Sequence, residues 1–428
     1  MHGRRRTGRQ ALGLLLAAAM VVAGCGGDDQ RTTDAEGQGL VSNPRQPAQV
    51  LLRARAQSLG RGDLEGYLAG LEPEARAFEE PIAKRALALP IHKFDMAVDV
   101  ATISDDGSRF TNAQVTLRYS YKGLPEDNPF RLHLVYEMER RQGKLVVTKS
   151  RLGDPLRDDV PPPPLWSLYP VEITESPHFL VMAVPGTAKV AEVAAQAEAG
   201  LARLLPQVTL ATDDRYLFVA AKDTEVYEAI GGPGGSDAYT LVEFIETAGD
   251  QRRARPDGRH FAADLSTVGR EAESRLPGTD DVTPASIVFQ HELAHLALSR
   301  FTRPCTNLWV IEGAAVWLSG ESRLDQWKEH VEKDDLDGLV LNPPTGGVDY
   351  SFALAAVLHL LEQDKPATFF DFYQNFKDLR VQTVGCSGET QEVRSIADDK
   401  LLRRYYRLTL EEVEDAARAY IKKAVENA

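Results

Sequence analysis

Residues 285–298 read Ala-Ser-Ile-Val-Phe-Gln-His-Glu-Leu-Ala-His-Leu-Ala-Leu, so His291, Glu292 and His295 sit inside a strongly apolar stretch. Ionisable groups taken out of water are costly unless they pair or meet a cation, so the fold must supply partners for all three. Thr283-Pro284 just upstream is a helix start, with Thr as the cap and Pro in the first turn. On that helix His291 and His295 are four apart and project from one face. A second apolar stretch, Trp309-Val310-Ile311-Glu312-Gly313-Ala314-Ala315-Val316-Trp317, carries a lone carboxylate 17 residues after His295. Two imidazoles at helical spacing and an isolated buried carboxylate make a ligand set for one zinc ion, with His291, His295 and Glu312 as ligands. Glu292, about 100° round the helix, is placed to accept a proton from zinc-bound water. Three protein ligands without a fourth favour an open, catalytic position over a structural zinc site. Gly313 would let the two ligand-bearing helices approach closely.

The N-terminus reads as a targeting segment. Arg4, Arg5, Arg6 and Arg9 precede the apolar stretch Ala11 to Ala23, which ends in Val22-Ala23-Gly24-Cys25. Thirteen apolar residues are too few to span a bilayer and suit an export signal. The terminal motif resembles a bacterial lipobox. It implies a signal peptide over residues 1–24, lipid on Cys25, and a protein exported and anchored to the outer face of the cell membrane. A plain secretory signal is the alternative. Residues 25–46, rich in Gly, Asp, Gln, Thr and Ser, read as a flexible tether. With Cys25 lipidated, Cys305 and Cys386 are the remaining thiols in an oxidising compartment and are expected to pair as a disulfide.

Two structured regions follow. Residues 47–154 begin with three short helical patterns and then switch to a period of two. Ala113, Val115, Leu117, Tyr119 and Tyr121 alternate with polar residues, as do Phe130, Leu132, Leu134, Tyr136 and Met138. Helices followed by a curved antiparallel sheet resemble the cone-shaped nuclear-transport-factor-2-like fold. No catalytic constellation stands out there, so a spacer or partner-binding role is expected. Pro161 to Pro164 places a Pro-rich linker over residues 155–166. Residues 167–428 read as a mixed sheet with helices, with strands at 178–184, 217–221 and 261–265 and a helix at 189–205. The expected class is therefore α+β. The net charge of −14 disfavours nucleic acid as a partner. Gly231-Gly232-Pro233-Gly234-Gly235-Ser236 lacks the spacing of a phosphate loop, so no nucleotide is expected.

His291-Glu292-Leu293-Ala294-His295 followed by Trp309-Val310-Ile311-Glu312-Gly313-Ala314 resembles the gluzincin metallopeptidases, specifically bacterial peptidase MA-like domains. The resemblance spans about residues 167–423. It implies an exported zinc metallopeptidase acting on peptides or proteins, with Glu292 as general base and zinc activating the water. Some gluzincins carry an acidic residue four after the ligand glutamate; that place is Val316, so the first histidine must be oriented from elsewhere. Tyr350, at the start of a later helix, is the candidate donor to the developing oxyanion, with a packing tyrosine as the alternative. The rival to an enzyme is a catalytically inactive gluzincin-like lipoprotein that scaffolds envelope partners.

Overall fold

In a computed structural model, residues 45–378 and 391–428 are described, apart from 105, 128, 159, 188, 211, 235, 248–249, 269–281, 303–305 and 344–347. Cys25, expected to carry lipid, and Cys305 and Cys386, expected to pair, all lie outside the described residues.

The first helices form where proline or a side-chain cap starts them. They are α1 (Gln46–Gly60), with proline in its first turn, α2 (Leu64–Leu68), capped by Asp63, and α3 (Pro73–Ala88). Four antiparallel strands follow in sequence order, β1 (Ile91–Ile103), β2 (Arg109–Tyr121), β3 (Phe130–Arg141) and β4 (Lys144–Leu152). The alternating residues of β2 and β3 point inward and are buried, as their period requires. β1 escaped the sequence pattern because register shifts after His92, Val98 and Val100 reset its alternation. Inside this layer the guanidinium of Arg55 donates to Glu79 (2.5 Å) and to Tyr136 Oη (2.9 Å), all fully buried.

Two short helices, α4 (Pro155–Asp158) and α5 (Leu165–Leu168), flank the prolines. Trp166 on α5 is buried, its indole N–H donating to Tyr119 Oη at 3.1 Å, and Arg85 of α3 donates to the carbonyls of Trp166 and Ser167. The end of the Pro-rich segment is thus fastened to the N-terminal layer.

Next come β5 (Glu172–Glu175), β6 (Phe179–Ala183), α6 (Val190–Leu204), β7 (Tyr216–Ala221), α7 (Thr224–Ala229), β8 (Ala238–Thr247) and β9 (Asp250–Asp264). Their sheet has the order β5-β6-β7-β9-β8. The three central strands are parallel and the outer two antiparallel, which leaves β8 at one edge. The rest is helical: α8 (Pro284–Leu298), α9 (Leu308–Ser319), α10 (Leu324–Lys333), α11 (Tyr350–Gln363), α12 (Pro366–Gln374), α13 (Gln391–Tyr405) and α14 (Leu410–Glu426). The chain is α+β, with a mixed sheet and a helical C-terminal part, as the pattern predicts. Among the described residues no helix is long and apolar enough to cross a membrane.

Alternation along the central strands divides the core. Phe179, Val181, Phe218, Ala220, Phe261 and Ala263 face the helical half, whereas Leu180, Met182, Leu217, Val219 and Ala262 join the apolar cluster of the N-terminal layer. α8 packs on the first of these faces and is held on both flanks. Gln290 donates to the Leu318 carbonyl of α9 (2.7 Å) and accepts from Arg203 of α6 (2.9 Å).

Candidate active site

α8 starts as its sequence dictates. Thr283 and Ser286 form a reciprocal cap around Pro284. One turn separates His291 from His295, and their Nε2 atoms lie 3.2 Å apart. α9 brings Glu312 across, so that its Oε2 is 3.4 Å from each of those nitrogens. The three atoms make a nearly equilateral triangle. A tetrahedral ion with ligand bonds of about 2.0–2.1 Å spaces its ligand atoms by about 3.3–3.4 Å, so the triangle fits such an ion without rearrangement. Glu312 Oε2 is buried and makes no hydrogen bond, the orphan acceptor that a cation would satisfy. This buried His-His-Glu group could hold a metal ion.

The electrostatics agree. Burial opposes a charged His291 ring, but the carboxylates of Glu321, Glu312 and Glu292 outweigh it and push its pKa up to about 10. Burial likewise opposes the Glu312 carboxylate, yet His295 and His291 hold it well below the usual range. The carboxylates of Asp237, Glu292, Glu312 and Glu321 thus face the one cation Arg323 among the residues lining the cleft, apart from the histidines themselves. A divalent ion answers that excess.

Glu321 is the residue that sequence reasoning missed. Its Oε1 lies 2.8 Å from His291 Nδ1, the nitrogen turned away from the triangle, and its side chain is 1 % exposed. Ser319 donates to the same oxygen (3.0 Å) and Arg323 to the other. This is the support that Val316 cannot give, since Val316 is packed in the core. The carboxylate comes instead from beyond the end of α9, where Gly320 turns the chain at φ 71.

Glu292 does not join the triangle. Thr240 of the edge strand β8 donates from Oγ1 to Glu292 Oε2 (2.6 Å) and to its carbonyl (3.0 Å), fixing the carboxylate beside the ligands. Tyr350, first residue of α11, lies with its ring parallel to that of His291, centroids 6.1 Å apart and planes 13° apart. Burial, the Glu312 carboxylate and then Glu292 raise its phenol, which stays protonated and able to donate. Gly313 makes its close approach to α11, not to α8 as its place between ligand helices suggested. A β-carbon there would stand 2.7 Å from the Ala353 carbonyl oxygen and from Val357 Cγ2.

The site opens into a cleft of about 630 Å³, lined by His291, His295, Glu312, Glu292, Tyr350, Glu321, Arg323 and residues 236–240. The structure therefore gathers His291, Glu292, His295, Glu312 and Tyr350 in one place. Behind α9, the buried Asp398 of α13 accepts from Asn307, Trp309 and Asn342, which ties the segment leading into Glu312 to the C-terminal helices.

The sequence matches no family model and no curated protein. Among solved structures, one described as a polyketide cyclase from Xanthomonas campestris pv. campestris is 23% identical. It aligns with 24% of this chain and 90% of its own, at a TM-score of 0.17.

Proposed function

We propose that the protein is an exported, zinc-dependent peptide hydrolase of the gluzincin type, tethered to the outer face of a bacterial membrane through lipid on Cys25. The observation that carries this reading is the triangle of His291, His295 and Glu312 with Glu292 standing beside it, unligated and held by Thr240. A catalytic rather than structural role follows from the three-ligand set at the wall of an open cleft. Zinc bound there supplies Lewis acidity. Glu292 takes the proton of the attacking water at its carboxylate and passes it to the leaving amine nitrogen. Tyr350 donates its phenolic hydrogen to the oxygen on which charge develops. Glu321 holds His291 by Nδ1, so that Nε2 presents its lone pair to the ion. An extended peptide suits the cleft, because β8 is an edge strand whose first residues line it and whose outer side offers main-chain groups to a guest strand.

Elemental analysis of the purified protein, together with hydrolysis of a broad peptide library, tests the reading. The expected result is one zinc per chain, lost in His295→Ala. Glu292→Gln should keep zinc and lose most hydrolysis, since an amide cannot accept the proton. Absence of zinc after purification without chelators refutes the metal. Zinc with no cleavage across the library returns the weight to a scaffolding lipoprotein. A mature N-terminus other than Cys25 by mass spectrometry refutes the anchor.

A further inference from the structure

We propose that α10 is a positioning element for Tyr350. Arg323, Trp327 and His330, spaced four and three residues apart on one face of this helix and its cap, hold the first turn of α11 so that the phenol stays beside the ligand triangle. The inference rests on the reading of Tyr350 as donor to the developing oxyanion.

Tyr350 is the first residue of its helix, a place where main-chain N–H groups lack intrahelical partners and the turn frays unless something holds it. α10 holds it at three points. The buried indole of Trp327 donates from Nε1 to the carbonyl of Ser351 at 2.9 Å. His330 sets its Nε2 3.1 Å from Asp349 Oδ2 and its Nδ1 2.8 Å from Asp335 Oδ1. Asp349 is the N-cap of α11: its other oxygen, Oδ1, accepts from the Phe352 amide (2.8 Å) and the Ser351 hydroxyl (2.7 Å). The cap therefore divides its two oxygens, one for the helix and one for His330. Arg323 completes the row, with its guanidinium 6.0 Å from the Tyr350 ring centroid while it also pairs with Glu321. One short segment, residues 321–330, thus fixes both the histidine ligand His291 and the phenol opposite it. A catalytic donor must be held to within about 0.5 Å, and the first turn of a helix does not do this unaided.

His330 is neither a member of the triangle nor one of the residues lining the cleft, so His330→Ala tests the clamp without entering the site. In metal-free protein, hydrogen exchange at the Phe352 amide should quicken about 5-fold, with exchange in α8 and α9 unchanged. In zinc-loaded protein, kcat should fall about 10-fold, with KM and zinc stoichiometry unchanged. In a Tyr350→Phe background the same substitution should cost nothing further, because both changes act through one phenol. Trp327→Phe, which keeps the packing and removes the donor, should repeat the pattern. Unchanged exchange at Phe352 overturns the clamp and leaves the reading of Tyr350 intact. A multiplicative loss in the double variant overturns the coupling. Wild-type hydrolysis by Tyr350→Phe alone removes the catalytic reading of the phenol, and the proposal with it.

Discussion

Gly313→Ala is the substitution that most directly probes how the third ligand is placed. The residue follows Glu312 on α9, and an added β-carbon would stand 2.7 Å from the Ala353 carbonyl oxygen and 2.7 Å from Val357 Cγ2. The methyl can rotate away; a helix carbonyl cannot. Restoring ordinary contact needs α9 to retreat from α11 by about 0.7 Å. Overpacking of this kind costs about 1–3 kcal/mol, against a helix-propensity gain of about 1 kcal/mol for replacing glycine. The net expectation is a loss of about 0–2 kcal/mol, readable by urea denaturation of the metal-free protein. The larger effect falls on the ion. Ligand distances tolerate about ±0.2 Å, so a shift of Glu312 by several tenths of an ångström should weaken zinc about 10–100-fold, readable by competition with a chelator. A variant about 1 kcal/mol more stable than wild type with unchanged zinc affinity would mean that helix propensity alone governs the site. The close contact with α11 would then play no part in setting Glu312.

Zinc at about 100 times its Kd should stabilise the wild type by about 2.7 kcal/mol and leave His295→Ala unmoved; identical melting shifts in the two would contradict the ligand assignment. The metal-free His291 has a pKa of about 10, above its ordinary 6.5, so at pH 7 its ring carries a proton that binding must expel. Calorimetry in buffers of different ionisation enthalpy should therefore detect proton release, and zinc affinity should rise with pH towards 10. A buffer-independent heat with a pH-flat affinity would count against it. Burial outweighs the hydrogen bonds from Trp309, Asn342 and Asn307 and raises Asp398 from 3.8 to about 6. A raised carboxyl stabilises the fold fully below pH 3.8 and loses that contribution, about 3 kcal/mol, as pH climbs to 6. Asp398→Asn should flatten this slope between pH 4.5 and 7 in urea titrations, and an equal slope in both proteins would refute the assignment.

The grouping of His291, His295, Glu292 and Glu312 was legible because its constraints are local. Helical spacing puts two imidazoles on one face, and an apolar helix makes a solitary carboxylate conspicuous. Glu321 was not legible, because its distance to His291 is set by the turn at Gly320 and by the crossing of α9 over α8, neither of which leaves a period in the sequence. Thr240 was hidden for a related reason. β8 and β9 pair antiparallel over a long stretch, and the second strand contains Pro256 and Gly258, residues that argue against a strand until pairing is known. Gly313 shows the converse failure. The need for a close approach was readable, but which helix approaches is a property of the packed core.

The N-terminal layer has a consequence for the site that its lack of catalytic residues conceals. Central strands β6 and β7, and residues 261–263 of β9, are apolar on both faces. The face opposite α8 is covered by the cluster that includes Tyr119, Tyr121, Phe130 and Trp166. Parallel strands require such cover on both sides. Leu180, Met182, Leu217 and Val219 would otherwise meet water. β8 hangs from the far edge of this same sheet and holds Glu292 through Thr240. A chain cut near the prolines would expose the sheet that holds Glu292, even though it removes no residue from the cleft. A removable spacer would be joined by an open linker. Here the linker ends in a tryptophan buried in the N-terminal core, and the aromatic cluster around it closes over the back of the sheet that carries Thr240.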